Sequence, residues 1–195
     1  MKKVGFIGEG ESEVVLLTSS SFSELLVEYD LESVGEIDAM GRGNLENYSE
    51  KLDSKLKILV ERKAEKIFII SDLEQEPCIN HYKQKITNTY NSSIPQVEII
   101  SVKAIEAWIL ADSVTMEKLL RGRFYFDQPE STINLPISEL QNIFLYRTGR
   151  GLGSSKPRIM KKFIKNGFNL DKAAEHTNCD SAKYFVRKLK EVSEA

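Results

Sequence analysis

The chain has 195 residues, of which 41% are hydrophobic and 29% are charged, and its formal net charge at pH 7 is −2. This composition is typical of a globular protein, and two cysteines about a hundred residues apart do not indicate a disulfide framework. No apolar run approaches the roughly 20 residues of a membrane span, so we expect a cytoplasmic protein with no membrane partner.

Strand and helix patterns alternate through the first 122 residues. Short apolar runs predict strands over residues 4–7, 33–40, 66–70 and 97–102. Apolar positions three or four apart predict helices over residues 13–27, 44–64, 77–90 and 105–120. This alternation predicts a Rossmannoid α/β fold, with a four-stranded, mainly parallel sheet flanked by helices.

The pattern changes after residue 123. Residues 124–136 have no periodicity and are predicted to form a long loop or lid. Short helices are predicted over residues 137–146, 157–166, 169–176 and 180–192, with a glycine-rich turn over residues 148–155. We therefore divide the chain into an α/β domain, residues 1–122, and a loop with a basic helical extension packed on it, residues 123–195.

Charge is distributed unevenly along the chain. Residues 1–140 carry a net charge of −9, whereas residues 141–195 carry +7. Such polarity fits an acidic catalytic face beside a basic face that holds an anion, and it fits equally two docked surfaces of opposite charge.

The end of the first predicted strand is rich in acids. Gly8, Glu9 and Gly10 follow that strand directly, and Glu11 and Glu13 come next. A dinucleotide-binding loop is unlike this segment, because Glu13 stands where the third glycine belongs and the acids would repel a pyrophosphate. A carboxylate placed here is instead suited to holding a hard divalent cation.

Further acids follow the other predicted strands. Asp72 and Glu74 come directly after the third strand, and Glu106 begins the helix after the fourth. The carboxyl ends of parallel strands meet at one edge of a sheet, so we expect these acids and Glu9 to lie together there. Such a cluster is suited to Mg²⁺ or Mn²⁺. The alternative is that they are solvated loop residues or favourable charges at helix N-termini.

Several segments resemble a known group of proteins. Residues 7–13 resemble the first motif of toprim domains, and residues 69–74 resemble the second, in which Asp-x-Asp is usual. Residues 103–112 resemble the Glu-x-Trp-Leu-Leu-Ala-Asp signature of a bacterial toprim-like family of unknown function that is related to RloB-type proteins. Residues 179–189 resemble the closing helix of that family, so the resemblance extends over nearly the whole chain.

The resemblance implies a toprim-like fold and a metal-dependent phosphoryl-transfer site, as in a nuclease that acts on DNA or RNA. It assigns Glu9 as the general acid or base, and it assigns Asp72 and Glu74, together with Glu9, as the acids that hold the metal. Glu106 is assigned as a further catalytic acid. Glu74 departs from the usual aspartate. The expected setting is bacterial defence with an ATPase partner. The alternative is a non-catalytic binding or regulatory module on the same fold, and hydrolysis of a small phosphorylated metabolite is a third reading.

The C-terminal part of the chain supplies a candidate phosphate-binding surface. Between residues 147 and 165 there are seven basic residues and no acid. The predicted nucleic-acid contacts among them are Arg150, Lys156, Arg158, Lys161, Lys162 and Lys165. Arg42 and Asn44 resemble a Gly-Lys-Gly-Asn element of the family and are added to this set. The alternatives are a solvated helix face for the first group, and turn formation and helix capping for Arg42 and Asn44.

Overall fold

The computed structural model of the protein describes residues 1–47, 50–74, 76–89 and 93–194. Its four strands are β1 (Lys2–Gly8), β2 (Leu31–Asp38), β3 (Lys66–Asp72) and β4 (Gln96–Ser101). All neighbouring strands are parallel, and their order across the sheet is β2-β1-β3-β4. The predicted α/β fold with a four-stranded parallel sheet flanked by helices is therefore confirmed.

The helices connect the strands and then continue beyond the sheet. Those between and after the strands are α1 (Glu11–Leu17), α2 (Ser20–Glu28), α3 (Arg42–Asn47), α4 (Glu50–Glu61), α5 (Ile79–Thr89), α6 (Glu106–Ala111) and α7 (Ser113–Leu120). The C-terminal ones are α8 (Pro136–Thr148), α9 (Lys156–Lys165), α10 (Leu170–Glu175) and α11 (Asp180–Glu194). A single 3-10 turn, Pro129–Ser131, lies in the predicted loop.

Two of the long predicted helices are each divided by a capping side chain. The hydroxyl of Ser19 accepts a hydrogen bond from the Phe22 amide (3.2 Å), which begins α2, and Asp112 accepts one from the Thr115 amide (3.0 Å), which begins α7. Side-chain caps of this kind compete with a continuous helix, whereas the apolar spacing continues across the break. The predicted helix over 44–64 is represented by α3 and α4, and residues 48–49 and the predicted helix end at residue 90 lie outside the described residues.

Both faces of the sheet are buried, as parallel strands require. Alternate residues of each central strand point to opposite faces, so Phe6 and Phe68 belong to one hydrophobic cluster, while Ile7 and Ile69 belong to another. Helices α1, α2, α6 and α11 contribute to the first cluster, and α4 and α5 to the second. The edge where the strands end is therefore held from both sides.

The C-terminal helices share the first of these clusters with the sheet. Phe185 of α11 lies 5.9 Å from Phe22, 6.0 Å from Phe68 and 6.0 Å from Trp108, measured between ring centres. Trp108 is completely buried, and its indole nitrogen donates a hydrogen bond to Ser181 (2.7 Å). The predicted extension thus packs on the α/β part through a common core.

The loop before α8 is hydrogen-bonded to the start of α11. The Glu130 carboxylate accepts hydrogen bonds from the amides of Asp180 and Ser181, both 3.0 Å, and from the Ser181 hydroxyl. This satisfies amides of the first turn of α11. Among the described residues, no helix is both long enough and apolar enough to span a membrane, and Cys78 and Cys179 are free thiols.

Replacing Phe185 with alanine should test the common core. We expect the free energy of unfolding to fall by about 3–5 kcal/mol, because the ring is fully buried between the sheet and the helices. Urea unfolding followed by Trp108 fluorescence measures this. Tyr146→Ala, at a side chain that is 89% exposed, is the control and should change stability by less than about 0.5 kcal/mol. A small loss for Phe185→Ala would contradict the shared core.

Candidate functional site

The candidate site is built where β1 ends and α1 begins. A side chain at Gly8 would bring its Cβ within 2.7 Å of Glu13 Cβ, so only glycine lets the helix start this close to the strand. Glu13 Oε2 accepts a hydrogen bond from the Gly10 amide (2.9 Å), which is the glutamate half of a capping box, since Gly10 has no side chain to return a bond. This bond fixes the first turn of α1. Glu9 is held between the strand and this turn.

Glu9 is anchored to the end of β3. Its Oε2 accepts hydrogen bonds from the Ser71 hydroxyl (2.5 Å) and the Asp72 amide (3.3 Å). The Tyr82 hydroxyl lies 2.7 Å from Ser71 Oγ, and because Ser71 gives its one proton to Glu9, Tyr82 is the donor in that pair. Burial raises the pKa of Glu9 above its ordinary value despite these bonds. A raised pKa suits a group that accepts and returns a proton near neutral pH.

Asp72 is the deepest acid of the site. Its Oδ1 accepts hydrogen bonds from the Ser101 hydroxyl (2.5 Å) and the Ile105 amide (2.8 Å), which ties the end of β3 to the turn between β4 and α6. Burial raises the pKa of Asp72 well above its ordinary value, and the nearby Glu13 and Glu106 raise it further. The side chain therefore lies in an excess of negative charge.

Glu106 is the most unusual side chain of the site. It begins α6, is only 2% exposed, and neither of its carboxylate oxygens has a hydrogen-bond partner among the described residues. Its closest opposite charge is the Lys156 ammonium, at 3.5 Å. Oε1 is therefore compensated in part by the ion pair with Lys156, whereas Oε2 has no partner among the described residues. Buried carboxylates are normally hydrogen-bonded, so the unpaired oxygen leaves a place for a further partner.

Glu13 belongs to the site although the sequence analysis did not select it. It is 5% exposed, and burial together with the charges of Glu9 and Glu106 raises its pKa to about 7. The signal in the sequence is a glutamate three residues after a candidate N-cap, Gly10, the position from which its side chain can bond to the N-cap amide. That spacing usually indicates a structural role, which is why it did not single out Glu13.

Lys156 brings a positive charge to these acids. It occupies the first turn of α9, and its side chain is 43% exposed. Burial lowers the pKa of the ammonium, but the carboxylates of Glu106 and Asp72 outweigh this effect and leave the pKa raised. The sequence analysis placed Lys156 in a phosphate-binding surface. In the structure its ammonium lies within reach of the acids and compensates part of their charge.

Glu74 is placed differently from the other predicted acids. Its side chain is 51% exposed and pairs with Arg42 Nη1 at 3.0 Å, while the backbone of Glu74 is left-handed, with φ of 51°. It lies near enough to raise the pKa of Glu9, but it does not join Asp72 and Glu106. The structure therefore gives no support to Glu74 as a metal-holding acid, because its turn directs it to an arginine.

Arg42 and Asn44 are also engaged within the protein. Arg42 pairs with Glu46 (2.8 Å) and Glu76 (3.1 Å) as well as Glu74, and its guanidinium lies over the Tyr82 ring at 4.4 Å. The amide of Asn44 donates to the Met40 carbonyl (3.0 Å). This contact is the turn-forming role that the sequence analysis gave as the alternative for Asn44. Arg42 holds the turn after β3 in place.

A pocket of about 520 Å³ lies beside the acids. The residues that line it are Arg42, Glu74, Glu76, Pro77, Lys103, Ala104, Leu135 and Lys156. Three of them are cations and two are acids, but Arg42 is paired with both of these acids, Glu74 and Glu76. Lys156 joins the pocket to the buried Glu106. An anionic group in the pocket would therefore meet mainly Lys103 and Lys156, next to the carboxylates.

The other predicted phosphate contacts lie on the surface. Arg150, Arg158, Lys161, Lys162 and Lys165 are all exposed, whereas Ile159, Met160 and Phe163 turn the opposite face of α9 into the core. Lys161 approaches Glu11 of α1 at 3.7 Å. The structure thus confirms an amphipathic basic helix, and the binding of nucleic acid by its basic face stays a prediction.

The fit of a divalent cation can be judged from the acids present. Among the described residues, no group of three or more metal-binding side chains is arranged to hold a metal ion. Mg²⁺, however, is usually held by one or two carboxylates, with waters and substrate phosphates completing its shell. The unpaired oxygen of Glu106 and the charge excess at Asp72 fit such an ion. Asp72 and Glu106 are therefore the residues that would hold it.

Comparison with known proteins gives no further guide to this site. Protein-family models, curated proteins and solved structures all fail to match the chain. The toprim-like assignment therefore stays a prediction based on the motifs of the sequence.

The charge excess predicts an unusual pH dependence. The pKa of Glu13 is about 7 in the folded protein and 4.5 ordinarily, so the folded state binds more protons between these values, and its stability falls as pH rises through this window. Glu13→Gln keeps the hydrogen bond to Gly10 and removes the charge. We expect it to be more stable than wild type by about 3 kcal/mol at pH 8 and nearly equal at pH 4.

Urea unfolding at both pH values, in buffer with EDTA, measures this difference. Glu11→Gln is the matched control, because Glu11 is the exposed acid of the same turn. A Glu13→Gln protein that is less stable than wild type at pH 8 would show that the Glu13 charge is compensated in the folded state.

Proposed function

We propose that the protein is a divalent-cation-dependent phosphoryl-transfer enzyme that cleaves nucleic acid, in the cytoplasm, at the acids where β1 and β3 end. The observation that carries this proposal is Glu106, a buried carboxylate beside Asp72 whose Oε1 is paired with Lys156 and whose Oε2 has no partner among the described residues. A buried charge of this kind is costly, and a divalent cation next to it would remove most of the cost.

The roles of the acids follow from their contacts. Asp72 is held rigidly by Ser101 and the Ile105 amide, so its free oxygen is fixed, and Glu106 would share the cation with it. A cation bound there would stabilise the charge that develops on the reacting phosphate. Rigid placement matters because phosphoryl transfer depends mainly on positioning and electrostatic stabilisation.

Glu9 is the group that moves a proton in this proposal. Its raised pKa and its position at the same edge suit the removal of a proton from the attacking hydroxyl or water. The Tyr82 and Ser71 hydroxyls hold the carboxylate in place. Burial raises the pKa of Tyr82 to about 12, so Tyr82 remains a hydrogen-bond donor at neutral pH.

The substrate class is argued from the positive charges. Lys156, Lys103 and Arg42 line the pocket beside the acids, and a phosphate seated there would contact Lys156. The net charge of +7 over residues 141–195 extends the attraction beyond one phosphate, which favours a polymer. The resemblance to toprim-like proteins adds bacterial defence with an ATPase partner as the expected setting.

A second candidate function is a non-catalytic module that binds nucleic acid or a protein. Lys156 favours it, because an ammonium 3.5 Å from Glu106 can act as a built-in substitute for a metal ion. In that case the acids would serve to position α9, and no cleavage would occur with or without a cation.

Cleavage assays separate the two functions. Labelled DNA and RNA are incubated with Mg²⁺, with Mn²⁺ or with EDTA, and we expect cleavage only with a cation. Glu9→Gln and Asp72→Asn should each lower the rate by about 100-fold or more, as expected when a proton-transfer or electrostatic group is lost. Glu11→Gln, an exposed acid of the same turn, is the matched control and should retain activity. Cleavage that survives both changes would reject the proposed function.

Glu74→Gln tests the arrangement of acids directly. Because Glu74 is half exposed and paired with Arg42, we expect its loss to change the cleavage rate by less than about fivefold, the effect of an exposed ion pair. The motif resemblance alone predicts a loss as large as that of Asp72→Asn. The ratio of the two variant rates therefore decides which description of the metal-holding acids is right.

A further inference from the structure

A second pocket, separate from the acids, lies between α7, α8 and α9. Its volume is about 520 Å³, and its lining consists of Leu119, Leu120, Arg121, Phe144, Arg147, Thr148, Arg150 and Lys162. Four of these described residues are cations and none is an acid. We call this group the four-cation pocket.

The four cations have no opposite charges of their own. Within the described ranges, none of Arg121, Arg147, Arg150 and Lys162 lies in an ion pair with a carboxylate. Arg147 donates to the Arg123 carbonyl (3.3 Å), and the Lys162 ammonium lies 5.1 Å from the centre of the Phe144 ring. These contacts hold the side chains and leave their charge uncompensated.

Helix ends explain only part of this arrangement. Arg121 follows α7, Arg147 is in the last turn of α8, and Lys162 is in the last turn of α9. A helix C-terminus carries about half a negative charge, so three of them supply at most about −1.5 against four full positive charges. More than two positive charges remain, and because all four side chains are exposed, water and salt ions screen them in the free protein. A bound polyanion would replace these ions, which is a favourable exchange.

The backbone also accommodates the basic side chains. Arg121 has a left-handed backbone, with φ of 54°, at a helix end where glycine is the usual residue. A Cβ at the next residue, Gly122, would lie 3.2 Å from Arg147 Nη2. Arg121 therefore occupies a backbone conformation that is strained for a side chain, and Gly122 leaves room for the side chain of Arg147.

Another pocket of the protein shows the contrast. About 650 Å³ in volume, it lies between α2, α10 and α11 and contains both acids and bases. There the Tyr29 hydroxyl donates to Asp171 (2.9 Å), and Arg187 pairs with Glu191 (2.5 Å). Two of its three cations, Lys183 and Arg187, are paired with carboxylates, and two acids line it, which is not the case in the four-cation pocket.

We infer that the four-cation pocket binds backbone phosphates of a single nucleic-acid strand and delivers that strand to the acids. This inference rests on the proposed function and adds where the substrate is held. Helix α9 links the two places, because Lys156 contacts Glu106 and Lys162 lines the pocket six residues later, about 9 Å along the helix axis and about 120° around it. A strand that crosses α9 obliquely can contact both lysines, whereas a polyphosphate bound in the pocket does not require the acids.

Equilibrium binding tests the inference without turnover. Fluorescence anisotropy of labelled single-stranded DNA and RNA 12-mers is measured in EDTA over a series of salt concentrations. The variant Arg150→Gln with Lys162→Gln should bind the better of the two strands at least tenfold more weakly. Its slope of log affinity against log salt should shrink by about 1.4, because each lost phosphate contact on a single strand contributes about 0.7. Both residues are exposed, and an unchanged melting temperature verifies the fold.

The matched control is Lys57→Gln with Lys63→Gln, which removes the same charge from exposed lysines in and just after α4, outside the pocket. We expect less than a twofold change for it. An equal loss in both double variants would overturn the inference, since binding would then follow the net charge of the protein. Binding of tripolyphosphate without binding of either strand would also overturn it.

The result is separate from that of the cleavage assay. Asp72→Asn should bind the strands as wild type does in EDTA, because Asp72 does not line the four-cation pocket. Absence of cleavage by the wild-type protein, with pocket-dependent binding retained, would therefore count against the catalytic proposal alone. Loss of pocket-dependent binding with retained cleavage would count against the pocket alone.

Discussion

The main physical constraint on this structure is the negative charge concentrated at one buried edge of the sheet. Glu13, Asp72 and Glu106 are each nearly inaccessible to water, and the neighbouring Lys156 supplies one positive charge against them. Burying a carboxylate is unfavourable unless it is paired or hydrogen-bonded, and among the described residues Glu106 has only its ion pair with Lys156. Keeping these acids together therefore lowers the stability of the fold, and the cation and phosphate of the proposed function would account for that cost.

The rest of the molecule serves to hold this edge. Parallel strands bring the ends of β1, β3 and β4 together, Gly8 allows α1 to start at once, and Ser101 fixes Asp72. The C-terminal helices then bury the face of the sheet behind Trp108, and this packing carries Lys156 to the acids. The charge asymmetry of the sequence is thus a spatial asymmetry, with acids at the sheet edge and bases on the helices that cover it.

The sequence predicted the fold and the general position of the acids, because short buried strands alternating with helices admit few arrangements. It placed Glu9, Asp72 and Glu106 correctly at one edge, since strand ends are readable from apolar runs. It did not indicate that Glu74 leaves the group, because that depends on a left-handed turn that directs the side chain to Arg42. Nor did it separate the exposed acid Glu11 from the buried Glu13, which depends on the packing of α1 against Gly8. Apolar spacing also did not indicate that two of the predicted helices are divided, because the apolar positions continue across the caps Ser19 and Asp112.

The most direct measurement of the central claim is the melting temperature of the protein with and without 10 mM Mg²⁺, in wild type and in Asp72→Asn. Asparagine retains the acceptor for Ser101 and the Ile105 amide, so the variant changes charge and leaves the local hydrogen bonds in place. For a site with a dissociation constant of about 1 mM, binding contributes about 1.4 kcal/mol, which raises the melting temperature by about 3–5 °C in a chain of this size. We predict that rise for wild type and none for Asp72→Asn, whereas no rise in wild type, or an equal rise in both proteins, would contradict a cation site at these acids.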